Sequence, residues 1–241
     1  MMKFVSIVLL CCSSLWAGEN KFPSVPAEML KSSHRLVSSK STKEGTVITS
    51  HGSAVAVDLK KQGLEGKRFL STAAHCAVEN GKALPCLVEV MKDGKKTWVE
   101  TKLIAYDSDS DIALLYAEED MPTTAILADV DSLDLGDALF AIGGPHGRPM
   151  TATLGYLSDK GAPADTYAHS RWYQGSMSIT HGNSGGPVFD ANKGEVVGIV
   201  TAVIGAPREA PNVALFIGAP DINNFLTANS EKIQKFLKKR R

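Results

Sequence analysis

The sequence predicts an all-β fold of sandwich or barrel type, and three observations carry that prediction. From residue 46 onward, short apolar runs alternate with turn signals at the spacing of an all-β chain. Helical patterning is confined to residues 221–239. No glycine motif follows a strand and opens a helix, as a nucleotide-binding unit requires.

Taken in order, the predicted strands are GSAVAVDL (52–59), RFLSTAAH (68–75), CLVEVM (86–91), WVETKLIAY (98–106) and IALLYA (112–117). ALFAIGG (138–144), ATLGYLS (152–158), EVVGIVTAVI (195–204) and VALFIG (213–218) follow. Each is rich in β-branched or aromatic residues and bounded by breakers such as Asp93-Gly94, Gly136-Asp137 and Asn192-Lys193-Gly194. The helical segments are DINNFL (221–226) and SEKIQKFLKK (230–239), the second with Ser230 as its expected N-cap.

The ends of the chain read differently. Lys3 followed by a mostly apolar stretch over residues 4–17 has the form of a secretory signal peptide cut after Ala17, too short to span a bilayer as a helix. The residues before Cys11 and Cys12 do not favour lipid attachment. Residues 18–45, polar and rich in Ser and Lys, are expected to form a loosely ordered arm. Lys238, Lys239, Arg240 and Arg241 form a solvated basic tail.

Composition sets the class. The 241 residues are 44% hydrophobic and 22% charged, as in a globular protein with a substantial core. A formal net charge of zero argues against a nucleic-acid partner. Signal removal leaves Cys76 and Cys86. In an oxidising compartment the expectation is a disulfide between them, worth roughly 3 kcal/mol in the chain-entropy model; the alternative is two buried thiols. No second Cys or His pair stands at zinc-ligand spacing, so no metal or cofactor is expected.

Three segments carry chemistry: STAAHCAV with His75, DSDSDIALL with Asp111 and GNSGGP with Ser184. A serine hydroxyl becomes a nucleophile when a neutral imidazole takes its proton, and a carboxylate fixes that imidazole's tautomer. Asp111 is preferred over Asp107 and Asp109 because the apolar run begins directly after it. The glycines around Ser184 let the backbone turn the Gly182 and Ser184 amides inward as an oxyanion hole.

TAAHC, GNSGGP and the His, Asp, Ser order together resemble the chymotrypsin-fold serine proteases over residues 46–220. LGDALFAIGGPHG (135–147) and TATLGYLS (151–158) resemble the bacterial high-temperature-requirement (HtrA) branch, with Gly144 in place of its Asn and His146 in place of its Phe. The resemblance implies two six-stranded antiparallel β-barrels, over 46–135 and 136–220, and a C-terminal helix with the basic tail over 221–241. It implies an exported, periplasmic or secreted, serine endopeptidase acting on polypeptides. The chain ends about 20 residues past the expected second barrel, which leaves no PDZ domain of the kind that branch generally carries and puts its trimer assembly in doubt. Asn183, in place of the aspartate of zymogen-derived relatives, implies that activation does not use their ion pair.

The same resemblance marks a specificity pocket. Ser178 stands where relatives that cut after Lys or Arg carry Asp, and Val200 where relatives that cut after Glu carry His, just before Thr201. The expected walls are Ile179, Ala202, Val203, Ile204 and Leu215, which implies a Val, Ala or Leu side chain before the scissile bond. His181 is expected to rim the cleft or to be a solvated loop residue. His34, His51, His146 and His169 are expected to be surface or structural. The rival readings are a peptide-binding or chaperone-like module on this fold, and an esterase.

Overall fold

Ser33–Thr42, read from the sequence as part of a polar arm, is strand β1 of a closed barrel. The computed structural model describes residues 24–43, 45–162, 171–204 and 213–240; the signal peptide, Cys11, Cys12, His169 and Arg241 lie outside the described residues. A short helix, α1 (Ala27–Ser32), leads into β1, and the Ser32 and Ser33 hydroxyls both donate to the Met29 carbonyl. β1 pairs along its length with β2 (Gly45–Ala56), from Ser33 opposite Val55 to Thr42 opposite Gly45. Leu36 and Val37 are buried in it, and so are the small side chains Ser38 and Ser39. Pairing on both edges outweighs the weak strand propensity of a serine-rich segment.

The first barrel is completed by β3 (Phe69–Ala73), β6 (Cys86–Lys92), β7 (Lys95–Asp107) and β8 (Ile112–Ala117), in the order β1-β2-β3-β8-β7-β6. Between β3 and β6 lie the single turn α2 (Ala74–Ala77) and a small ladder of β4 (Val78–Glu79) with β5 (Lys82–Ala83). The strand expected over 68–75 therefore stops at Ala73, and His75 sits on α2. The second barrel runs β10-β11-β14-β13-β12-β9, with β9 (Ala138–Gly143), β10 (Thr151–Ala162), β11 (Trp172–Gly175), β12 (Pro187–Asp190), β13 (Val196–Ile204) and β14 (Val213–Gly218). β11 and β12, at four residues each, escaped the sequence reading.

Alternation along the strands explains why they read as continuous apolar runs. On β8, Ala113, Leu115 and Ala117 fill the first barrel, while Ile112 and Leu114 face a second apolar cluster. On β9, Leu139 and Ala141 fill the second barrel, while Phe140 and Ile142 join that same cluster. This shared seam continues through Phe69, Phe189 and Ile217 to Ile222 and Phe225 of α3 (Ala219–Ala228) and Ile233 of α4 (Ser230–Lys238). Strands buried on both faces lose the in/out polarity of a solvated sheet.

Two local expectations are corrected. α4 has Asn229, not Ser230, at its N-cap; the Asn229 side chain donates back to the Phe225 carbonyl and closes α3. Cys76 and Cys86 are buried free thiols, not a disulfide. The Cys76 sulfur is directed to the Ser184 carbonyl (3.6 Å), and that of Cys86 to the carbonyls of Leu84 (3.4 Å) and Cys76 (3.9 Å). The two thiols thus serve separate carbonyls. Burial, with a smaller contribution from Cys76, pushes the Cys86 thiol up to about 12. Among the described residues no helix is long and apolar enough to cross a membrane.

Candidate active site

Asp111 follows the turn from β7 to β8. Asp107 builds that turn by accepting from the Asp109 N–H (3.0 Å) and the Ser110 hydroxyl (2.8 Å). Asp111 itself is held at φ 52°, a left-handed conformation that aspartate tolerates better than most residues, and is only 3% exposed. Its main-chain carbonyl accepts from the Ala74 N–H at 3.1 Å. Its carboxylate accepts from the His75 N–H at 3.0 Å and lies 2.9 and 3.1 Å from His75 Nδ1. The remaining donor is the Thr201 hydroxyl, from β13 of the other barrel.

These contacts fix the imidazole. A neutral His75 donates Nδ1–H to Asp111 and keeps its lone pair on Nε2. Burial alone would lower its pKa; the hydrogen bonds and charges of Asp111 and Cys76 outweigh burial and raise it above the ordinary imidazole value.

Ser184 sits half-buried in the loop between β11 and β12. The loop has positive φ at Gly182 (97°) and Gly185 (80°). A Cβ at Gly182 would lie 2.4 Å from the Gly144 carbonyl, and one at Gly185 would lie 2.1 Å from the Thr72 hydroxyl. Both conformation and space therefore demand glycine. The Asn183 N–H donates to Thr180 and the Gly185 N–H to Val200, whereas among the described residues the Gly182 and Ser184 N–H groups have no acceptor. That arrangement leaves two neighbouring amides available to an anion.

Ser53, on β2 of the first barrel, pins this loop. Its hydroxyl donates to the Gly182 carbonyl (2.7 Å) and accepts from the Gly144 N–H (3.0 Å), and its own N–H donates to the Ser184 carbonyl (2.8 Å). The Thr72 hydroxyl in turn donates to the Ser53 carbonyl (2.7 Å). No sequence signal marks Ser53, because its role depends on the docking of one barrel on the other.

His75, Gly182 and Ser184 line one cleft of about 400 Å³ together with Thr49, Ser50, His51, His146 and His181. Among the described residues no hydrogen bond joins the Ser184 hydroxyl to His75; in unliganded sites such bonds often tighten only with substrate. His51 and His146, expected as surface or structural residues, stand in this cleft, while His34 is buried with its Nδ1 on the Glu89 carbonyl (3.0 Å).

The expected specificity residues separate. Ile179 and Val200 are buried in the core of the second barrel and Leu215 in the seam. Ala202 packs against that seam, Ser178 and Val203 are exposed, and the Ile204 side chain lies outside the described residues. Thr201, expected in the pocket, turns its hydroxyl to Asp111 instead.

Comparisons with known proteins place this architecture. A model of the trypsin-like peptidase domain matches residues 33–199. The chain is 33% identical over 171 residues to the periplasmic serine endoprotease DegP of Salmonella typhimurium, covering 70% of this chain and 33% of that protein. It is 33% identical over 152 residues to a probable periplasmic DegP-like serine endoprotease of Rhizobium meliloti (63% and 29%). Against the periplasmic pH-dependent serine endoprotease DegQ of Escherichia coli the identity is 39% over 116 residues (47% and 25%). The chain thus spans about a third or less of these relatives. The fold is similar to that of the HtrA-type protease AlgW with a tripeptide: TM-score 0.68 at 24% identity, covering 84% of this chain and 61% of that one. Two six-stranded barrels and a family match over most of the chain lead to one conclusion: the protein belongs to the trypsin-like peptidase domain family, with relatives of the DegP and DegQ type.

Proposed function

We propose that the protein is an exported serine endopeptidase in which Ser184 is the nucleophile, His75 the general base, Asp111 its orienting carboxylate, and the Gly182 and Ser184 amides the oxyanion hole. One observation carries this reading: a buried, triply bonded Asp111 fixes His75 at a cleft that also holds Ser184 and its two unengaged amides.

In this mechanism Ser184 Oγ attacks the scissile carbonyl as His75 Nε2 takes its proton. The oxyanion collects between the two amides, the leaving amine takes the proton back from His75, and water then releases the acyl group by the same route. Ser178 supplies no charge to pair with Lys or Arg, which supports cleavage after small or medium aliphatic residues. The periplasmic names of the relatives support an exported site of action on polypeptides.

A fluorophosphonate probe tests the assignment. Folded protein should be labelled at Ser184, and Ser184→Ala should not be labelled. A folded wild type that resists labelling and cleaves no peptide would favour the peptide-binding alternative. A peptide-library profile dominated by Lys, Arg or Glu before the cut would overturn the aliphatic preference while leaving the triad standing.

A further inference from the structure

Four of the chain's six histidines line one cleft, and each comes from a different place: His51 from β2, His75 from α2, His146 from the Pro145–Gly147 turn and His181 from the loop before Ser184. No local spacing in the sequence announces them. The rest of the lining is hydroxyl-bearing residues and Gly182, with no carboxylate and no large aliphatic side chain. The Asp111 carboxylate lies behind His75, 3% exposed and already engaged by its donors. A cationic side chain would find no countercharge in this cleft, and an apolar one no apolar wall. An anion would find hydrogen-bond donors.

Two of the rings are built into the wall. His146 is held at φ 51°, a left-handed conformation that a β-carbon disfavours and that gathers at functional sites. Its N–H donates to the His181 carbonyl (2.7 Å), and the two ring centres lie 6.3 Å apart. The Thr180 hydroxyl lies 3.3 Å from His146 Nε2; donating there, it leaves the proton of the neutral ring on Nδ1. Among the described residues the His181 ring packs against His146 and has no hydrogen-bond partner. A carboxylate has two oxygens and can accept one bond from each ring.

The cleft lies on the leaving side of the proposed nucleophile. In that mechanism His75 returns its proton to the leaving amine, and His75 is part of this wall. Ser178, Ile179, Val200 and Leu215, expected around the side chain before the cut, take no part in it. What fills the cleft is therefore the segment that follows the scissile bond.

We propose that His146 and His181 form a subsite for a carboxylate of the leaving peptide, either an acidic side chain shortly after the cut or the peptide's own terminal carboxylate. The place of this subsite in the reaction rests on the protease reading; the binding of the carboxylate does not.

The test compares peptides that share one aliphatic cleavage site. In one arm all ends are amidated, and Glu or Gln is placed at each position after the cut in turn. In the other arm the peptides differ only in a free or amidated carboxyl end. The acid form should be cleaved with about tenfold higher kcat/KM in one arm, mainly through KM, and that arm names the source of the carboxylate. His181→Ala, and His146→Gly, which keeps the left-handed backbone, should bring the ratio of acid to amide close to one, and His181→Glu should invert it. Circular dichroism shows that each variant is folded. Equal cleavage of acid and amide forms in both arms, or a preference that survives the histidine variants, would overturn the proposal and leave the protease reading standing. Fluorescence anisotropy of the same peptides on the Ser184→Ala protein separates the two failures. Tighter binding of the acid form there, with no cleavage of any peptide by the wild type, would sink the protease reading and leave the carboxylate site standing.

Discussion

Where the first barrel supplies Asp111 and His75, donors converge on a side-chain carboxylate; where the second supplies Ser184, backbone holds backbone. The carboxylate is gripped by the His75 ring, the His75 N–H and the Thr201 hydroxyl. The serine loop is shaped by glycines in left-handed conformations and by amides that donate to fixed carbonyls. Each half is also pinned by one hydroxyl from the opposite barrel: Thr201 reaches across to Asp111, and Ser53 reaches across to Gly182. The geometry of each half therefore depends on the docking of the two barrels, and a defect in one hydroxyl should be felt in the other barrel's half.

The largest expected effect comes from the side-chain half. Asp111→Asn should lower kcat by about 10⁴-fold, because the amide favours the wrong histidine tautomer. Active-site titration separates this loss from unfolding. In the backbone half, Gly182→Ala should cost about 10² to 10³ in kcat by displacing an oxyanion donor, with KM changing less. If Gly182→Ala were as active as wild type, the amide assignment would fail.

The crossing hydroxyls give a finer comparison. Ser53→Ala removes two hydroxyl bonds and Thr201→Val one, each bond worth about 1–3 kcal/mol, and each variant should slow turnover by about tenfold. They should differ in pH dependence. His75 must be neutral to act, and its pKa is raised, so activity should fall on acidification from a pH above that of a free imidazole. The matching stability contribution is present below the unfolded pKa of His75 and lost as pH rises through its folded value. Thr201→Val removes the donor that shares the carboxylate with the His75 ring and should move the acid limb of the rate profile further up. Ser53→Ala should lower the plateau and leave that limb in place. Identical profiles for the two variants would erase the distinction between the halves.

The smallest effect on turnover lies away from the site and is one of stability. Burial lowers the pKa of His34 to about 4, against a smaller opposing pull from its bond to the Glu89 carbonyl. The folded protein thus binds fewer protons there than the unfolded chain, and stability should decline as pH falls from about 6.5 towards 4, by at most about 3 kcal/mol from this group. Imidazole nitrogen shifts showing neutral His34 at pH 5.5 would confirm the sign.

What the sequence made legible divides along the same line. His75, Asp111 and Ser184 stand in motifs that single them out as candidates, and the structure bonds the first two and sets His75 and Ser184 in one cleft; the long apolar strands announce a β fold. β1 did not, because Ser33, Ser38, Ser39 and His34 look polar although the barrel buries them. β11 and β12 did not, because four-residue strands take their stability from neighbours. Ser53, Thr201, His51 and His146 acquire their places only through contacts between residues far apart in the chain, as between Thr201 and Asp111. The disulfide failed for a related reason, since nearness in sequence says nothing about which carbonyl each sulfur faces.

The apolar seam linking Phe69 and Ile112 to Phe140, Phe189 and Ile222 also bears on how the molecule comes apart. Neither barrel retains a complete hydrophobic exterior without the other. Heating should therefore yield one calorimetric endotherm rather than two, and separately expressed halves should gain structure only when mixed.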